Sequence, residues 1–311
     1  MAEHPFAAVL AATVSAPLRV GVAGRSGAGR DTVRRALRGA GVVVADPGEP
    51  ADTDVYVFVE TLTREDTAAL TAARPPAVAV LNKSDLISFR GAGPMVVANA
   101  QCRELERRTG VPTRPLAALL AVAASDPAVL DRSLVDALRA VTIDPARLTP
   151  AIRRRLLSEL DLFGIATASA VLCGGADRAM LAALLRSVSG VQAVLDEIDR
   201  AAAAVRYRRL IGELVGLAER AVGPRGARVA DFLASDAVVL ARMAAAMDVM
   251  QAQDPPPGPA DGGTDHLRRA IHWQHYARGP GSALHRGCGA DIARGALRLW
   301  LREGGIPEPM T

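Results

Sequence analysis

Lysine is almost missing from this chain. Of its 37 Lys plus Arg residues only Lys83 is a lysine, and asparagine occurs only at Asn82 and Asn99. Aromatic residues make up 3%, too few for the stacking platforms that hold single-stranded nucleic acid. Basic patches interleaved with aromatics do not occur. The net charge of +4 is mild. The arginines spread along helical stretches such as Arg153-Arg154-Arg155 and 206–209, which reads as solvated helix faces. Nucleic acid is therefore not an expected partner. Cysteine is also scarce. Cys102, Cys173 and Cys288 lie far apart and are odd in number, which argues against a disulfide framework and for a reducing, cytoplasmic setting. The start, Met1-Ala2-Glu3-His4-Pro5, lacks the basic segment of a secretory signal. No uninterrupted apolar run reaches the roughly 18 residues of a membrane span, so membrane contact is expected to be peripheral at most.

What is present is length and aliphatic bulk. The 311 residues are half hydrophobic, enough for two domains with cores of alanine, leucine and valine.

The single lysine sits in Leu81-Asn82-Lys83-Ser84-Asp85-Leu86. At these frequencies chance would assemble Asn-Lys-x-Asp about once in a few thousand such sequences. The preceding Ala77-Val78-Ala79-Val80-Leu81 reads as a buried parallel strand. The tetrapeptide would then leave the strand's carboxyl end, where open α/β sheets hold ligands. The plain alternative is a strand-to-helix turn with Ser84 or Asp85 as the helix cap. The segment resembles the guanine-reading element of the GTPase-type P-loop proteins. The residue types suit that task. Guanine offers two adjacent donors, N1–H and the 2-amino group, which match the two oxygens of a carboxylate at Asp85. Adenine would face the same carboxylate with a lone pair. By that resemblance Asn82 bonds the base and ties the loop together, and Lys83 lays its stem along the base or ribose.

Upstream, Leu18-Arg19-Val20-Gly21-Val22-Ala23 reads as a strand and feeds the loop Gly24-Arg25-Ser26-Gly27-Ala28-Gly29-Arg30-Asp31-Thr32 before a helical stretch. Strand, Gly-rich loop and helix are what a phosphate cradle needs: glycines let backbone N–H groups converge on an anion, and the helix start adds partial positive charge. The usual Gly-x4-Gly-Lys-Ser/Thr pattern is only half kept. Gly24 and Gly29 fit, but Arg30 replaces the lysine and Asp31 the magnesium-binding hydroxyl. Either Thr32 supplies that hydroxyl one residue late, or Asp31 simply favours the first helical turn. Mg²⁺ is accordingly a doubtful companion of the expected GTP or GDP.

Asp46-Pro47-Gly48 resembles the Asp-x-x-Gly element of GTPases with one residue missing; it reads equally as a turn. The helix after the loop runs almost directly into the strand 41–45, which leaves no room for a first switch loop, and no glutamine follows Gly48 to position water. Strands are expected at 54–60 and 77–81, helices at 64–73, 97–109 and 131–141. Ala124-Ser125, closing the apolar stretch 115–124, echoes the Ser-Ala turn that meets guanine O6 in the family. The expectation is a doubly wound, mostly parallel α/β sheet over 18–143, a truncated GTPase-like domain, after an N-terminal segment 1–17.

From about Asp144 the texture becomes helical. Thr149-Pro150 is a helix start. Helical spacing follows over roughly 150–173, 176–188, 190–221, 226–251, 265–277 and 282–302, with a Pro-rich break at Asp254-Pro255-Pro256-Pro257-Gly258-Pro259. An all-α domain over 144–311 is expected. The stretch 155–165 and Ser189-Gly190-Val191 resemble the helical regions of actinobacterial GTPase and dynamin-like proteins. This implies a domain that packs on the nucleotide fold or on a protein partner, such as another GTPase. His272, His275, His285 and Cys288 have zinc-ligand spacing, or fill core and interface positions. The sequence thus points to a guanine-nucleotide-binding protein with weak or absent hydrolysis. The alternative is a pseudo-GTPase scaffold whose helical half makes protein contacts.

Overall fold

The computed structural model describes residues 12–72, 77–87, 93–221, 224–252 and 265–304. The chain forms two compact units, Pro17–Asp199 and Arg200–Thr311 with Met1–Ala16. The Pro-rich break near 254–263 lies outside the described residues.

The first unit holds a sheet of five parallel strands: β1 (Arg19–Gly24), β2 (Val43–Val44), β3 (Thr53–Phe58), β4 (Ala77–Asn82) and β5 (Thr113–Leu116), in the order β2-β1-β3-β4-β5. Helices cover both faces, so β4 is apolar up to Asn82 and β3 is apolar toward its carboxyl end. Side chains alternate between the two layers. Val55, Val57, Val78 and Val80 face a core shared with α1 (Arg30–Gly39), α4 (Ala118–Ser125) and α5 (Arg132–Ile143). Phe58, Ala79 and Leu81 face the other way, toward α2 (Arg64–Ala72) and α3 (Pro94–Thr109), with Leu70, Ala98, Cys102 and Leu105. Each such aliphatic side chain, fully buried, contributes about 1.5–3 kcal/mol. The α/β reading is met by this parallel sheet with helices on both sides.

The change of texture near 144 does not end this unit. Helix α6 (Pro150–Cys173) buries Leu156, Leu160, Ala168 and Leu172 in the first core, and α7 (Arg178–Val188) adds Leu181 and Leu185. Val191, Val194 and Ile198 from the start of α8 (Val191–Glu219) complete it. Gly164 explains how closely α6 approaches: a Cβ there would lie 2.3 Å from Leu120 Cδ2. The Arg114 guanidinium on β5 bridges Glu106 and the buried Glu197. By length and composition α6 would suffice to cross a membrane, and a third of that stretch is buried in this core.

The second unit is helical, with α8 from Arg200 onward, α9 (Pro224–Ala234), α10 (Asp236–Gln251), α11 (His266–Arg278) and α12 (Ala283–Arg302). Ser235, Asp265 and Ser282 cap three of these helices by accepting a backbone N–H. Tyr207, Met250, Trp273, Cys288 and Ile292 form its core. Among the described residues of this unit one carboxylate is buried, Asp291, and it is met: Tyr207 donates at 2.8 Å and Arg242 at 2.7 Å.

Candidate functional site

The strand order turns at β1, with β2 on one side and β3 on the other. Loops at the carboxyl ends on either side of such a point part and leave a crevice. Loop 25–29 leaves β1 there. Its backbone bends at Gly24 (φ 140°), Gly27 (φ 81°) and Gly29 (φ 84°). At Gly24 the need for glycine is steric as well: an added Cβ would lie 2.1 Å from the Val57 carbonyl oxygen of β3. Ala28 is buried, while Ser26, Gly27, Arg30 and Asp31 are exposed. Helix α1 begins at Arg30 with no side chain capping its start, so its first amides point at whatever occupies the loop. Arg30 makes no ion pair among the described residues. Asp31 is exposed and paired with Arg34 at 2.6 Å, and Arg34 also donates to the Val22 carbonyl.

Beneath the loop lies a polar anchor that carries no sequence signature. Arg25 Nε approaches the fully buried Asp66 carboxylate at 3.0 Å. Burial works against ionisation of Asp66. The Thr63 N–H, the Tyr56 and Thr63 hydroxyls and Arg25 together outweigh it and hold the carboxyl below the ordinary value. Burial and the same carboxylate push the Tyr56 hydroxyl up to about 12.

The end of β4 meets the loop through the single Asn-Lys pair. Asn82 is 3% exposed; its Nδ2 donates to the Ala28 carbonyl at 2.8 Å and its Oδ1 accepts the Ala118 N–H at 3.3 Å. Lys83 turns with φ 55° and sends Nζ to the Gly27 carbonyl at 3.2 Å. Ser84, fully buried, donates to the Leu81 carbonyl and accepts the Leu116 N–H. One asparagine thus joins the Gly-rich loop to the β5–α4 junction. We expect Asn82→Ala to leave both buried backbone groups unmet and to lower the unfolding free energy by about 2–4 kcal/mol. Urea titration should show a lower midpoint at unchanged slope.

These elements enclose a cavity of about 250 Å³. Gly29 and Thr32 line it from the loop and α1, Asn82, Lys83, Asp85 and Leu86 from the end of β4 and the turn after it, Ala118 and Leu119 from the start of α4, and Asp161 from α6. Asp85 is the middle residue of a short 3₁₀ turn (Ser84–Leu86) and is 5% exposed. Its carboxylate has no partner among the described residues except its own N–H. Burial, with Asp161 adding to it and Lys83 opposing, raises its pKa above the ordinary carboxylate value.

The structure brings Gly29, Thr32, Asn82, Lys83 and Asp85 together, with Gly24, Ser26, Gly27, Ala28, Arg30 and Asp31 in the adjoining loop and helix start. Ser125 is placed elsewhere. It ends α4, where its hydroxyl bonds Ala121 and Val122 carbonyls and packs against Gly39 at the far end of α1. The reason is that β5 stops at Leu116 and the rest of the apolar run is helix. Ala118 and Leu119 line the cavity and Ser125 does not. Asp46-Pro47-Gly48 forms a turn closed by Glu49 N–H to Asp46 O, with Asp46 paired to Arg38. In the second unit Cys288 is fully buried, burial pushes its thiol up to about 12, and His272 packs edge-on to Trp273. Among the described residues no three His, Cys, Asp or Glu side chains converge on a metal-holding arrangement.

Comparison with family models, curated proteins and solved structures finds no match to this chain.

Proposed function

We propose that the sheet unit binds a guanine nucleotide, base in the cavity under Asp85 and phosphates on loop 25–30, and hydrolyses it slowly or not at all. Asp85 carries the reading: a carboxylate that is 5% exposed, lines a cavity and has no partner from another residue. Such a group is costly to hold unmet, and the ligand that meets it supplies adjacent donors. Guanine does; adenine does not. The position of the cavity beside an uncapped helix start and a glycine-bent loop supports a phosphate at its far end. Arg30 would meet it as a fork in place of the usual ammonium. Thr32, which lines the cavity, is the hydroxyl nearest the role that Asp31 cannot fill.

Weak hydrolysis follows from what separates α1 and β2. Helix α1 ends at Gly39 and β2 begins at Val43, too short a link for a switch that senses a γ-phosphate. GDP and GTP are therefore expected to bind alike. A protein partner, such as a complete GTPase, is assigned to the helical unit. A scaffold with an empty site is the second reading, favoured by one observation: Asp31 stands exposed at the loop where a phosphate-side hydroxyl belongs.

Calorimetric titration with GDP, GTP and ADP, with and without Mg²⁺, separates the two. The expected result is micromolar or tighter binding of both guanine nucleotides, little dependence on Mg²⁺, and no ADP signal. Silence with all three would leave the scaffold.

A further inference from the structure

Helix α6 breaks at one residue. Asp161 has φ 56° and ψ −179°, a backbone region that belongs almost wholly to glycine and that a side chain occupies only under constraint. No glycine or proline stands at the break. The residue that carries the strain is an acid, and it lines the same cavity as Asp85. Its Oδ1 accepts the N–H of Leu162 at 2.6 Å; Oδ2 has no partner among the described residues. Asp85, 95% removed from solvent on the same cavity and unmet by any other residue, independently marks this cavity as a place for a ligand. The negative charge of Asp161 adds to the burial that raises the Asp85 pKa, with Lys83 opposing.

Two carboxylates on one small cavity make it a surface of acceptors. Carboxylates donate nothing when ionised, so the ligand must bring more donors than Asp85 alone can use. Resting on the guanine reading above, the count is definite. The base edge carries three hydrogens, one on N1 and two on the 2-amino group. Asp85 takes N1–H and one amine hydrogen with its two oxygens. The other amine hydrogen is left over. Of the other polar side chains on the cavity, Lys83 only donates, the Asn82 oxygen already accepts from Ala118, and the Thr32 hydroxyl is the one assigned above to the phosphate end. We propose that Asp161 is a specificity-determining residue, accepting through its free oxygen the second hydrogen of the guanine 2-amino group.

The two acids would then grip the exocyclic amine from both sides, and the strain at Asp161 is what places the second one. A base that lacks the amine loses contacts to both. The inosine nucleotide, which keeps N1–H but has no 2-amino group, is therefore the informative probe.

The test compares wild type with Asp161→Gly, using GDP and IDP by calorimetry and thermal melting of the ligand-free proteins. Glycine accepts the observed backbone angles, so Asp161→Gly should melt at or above the wild-type temperature. Its GDP affinity should fall about 10-fold while its IDP affinity stays as in wild type. Equal losses for GDP and IDP would overturn the assignment, since the carboxylate would not be reading the amine. Unchanged binding of both would overturn it too. A lower melting temperature with equal losses would give Asp161 a role in the fold alone. Failure of the wild-type protein to bind GDP would sink the guanine reading, and this inference with it; wild-type binding with an indifferent Asp161→Gly sinks only the inference.

Discussion

Asp85→Asn should turn the cavity from guanine toward xanthine. The amide keeps one acceptor for N1–H but presents a donor where the carboxylate had an acceptor. It therefore faces the guanine amine donor to donor, and the C2 carbonyl of xanthine donor to acceptor. Losing a charge-assisted bond and opposing two donors should weaken GDP about 100-fold, while XDP gains. The same change should make the ligand-free protein more stable at neutral pH. The sign follows from the raised pKa of Asp85, caused first by burial. An acid whose folded pKa lies above its unfolded 3.8 binds more protons folded than unfolded between those two values. Through that window its contribution to stability falls as pH rises, and the cost stays in place above it. Asparagine removes the cost. GDP binding to the wild type should accordingly weaken as pH drops through the raised pKa and the carboxylate gains a proton, whereas the asparagine variant should show no such step. Calorimetry with GDP and XDP across pH, beside melting curves, reads both effects. A variant that binds GDP as tightly as wild type would remove Asp85 from the site.

The largest stability effect is expected at Gly24. Its Cβ would stand 2.1 Å from the Val57 carbonyl oxygen and 3.0 Å from the carbonyl carbon. Gly24 pairs with Val57 across β1 and β3, so the clash is backbone against backbone between neighbouring strands at the carboxyl end of the sheet. No rotamer relieves it, and φ 140° is itself forbidden to alanine. Gly24→Ala should cost about 3–5 kcal/mol and lower the melting temperature by about 10 °C. Gly27 supplies the control. It also has positive φ, but an added Cβ meets nothing within 4 Å, so Gly27→Ala should cost only about 1 kcal/mol. Equal melting temperatures for the two variants would show that the close approach of β1 and β3 is not what fixes the start of the loop.

Much of the sheet unit was legible in the residues, and what was hidden has physical reasons. Runs such as Val78–Leu81 declare a parallel strand because both faces are buried and no polar residue interrupts them. The Gly-rich loop declares itself because glycine is used where φ is positive. Ser125 went astray because α4 is buried on nearly all sides: Leu120, Ala121, Val122 and Ala123 are all core, and a short helix apolar all round cannot be told from a strand by period. The extent of the unit was hidden for a related reason. The apolar stripe of α6 records that something covers it, but not whether that is a sheet or another helix. Asp161 gave no signal at all. An acid in Leu160-Asp161-Leu162 looks like a solvent-facing turn of a regular helix, and only the backbone angles reveal otherwise.

The bonds from Asn82 and Lys83 to the Ala28 and Gly27 carbonyls have a further consequence. Both are bonds within the chain itself, and they hold the oxygen ends of two successive peptide dipoles. The conformational entropy of this loop is therefore surrendered during folding and not during association. Arrival of an anion then requires no reorganisation of the loop, and its departure releases no disorder into it. On the proposed nucleotide reading, this loop is the rigid part of the site, and any motion that accompanies binding comes from other parts of the unit.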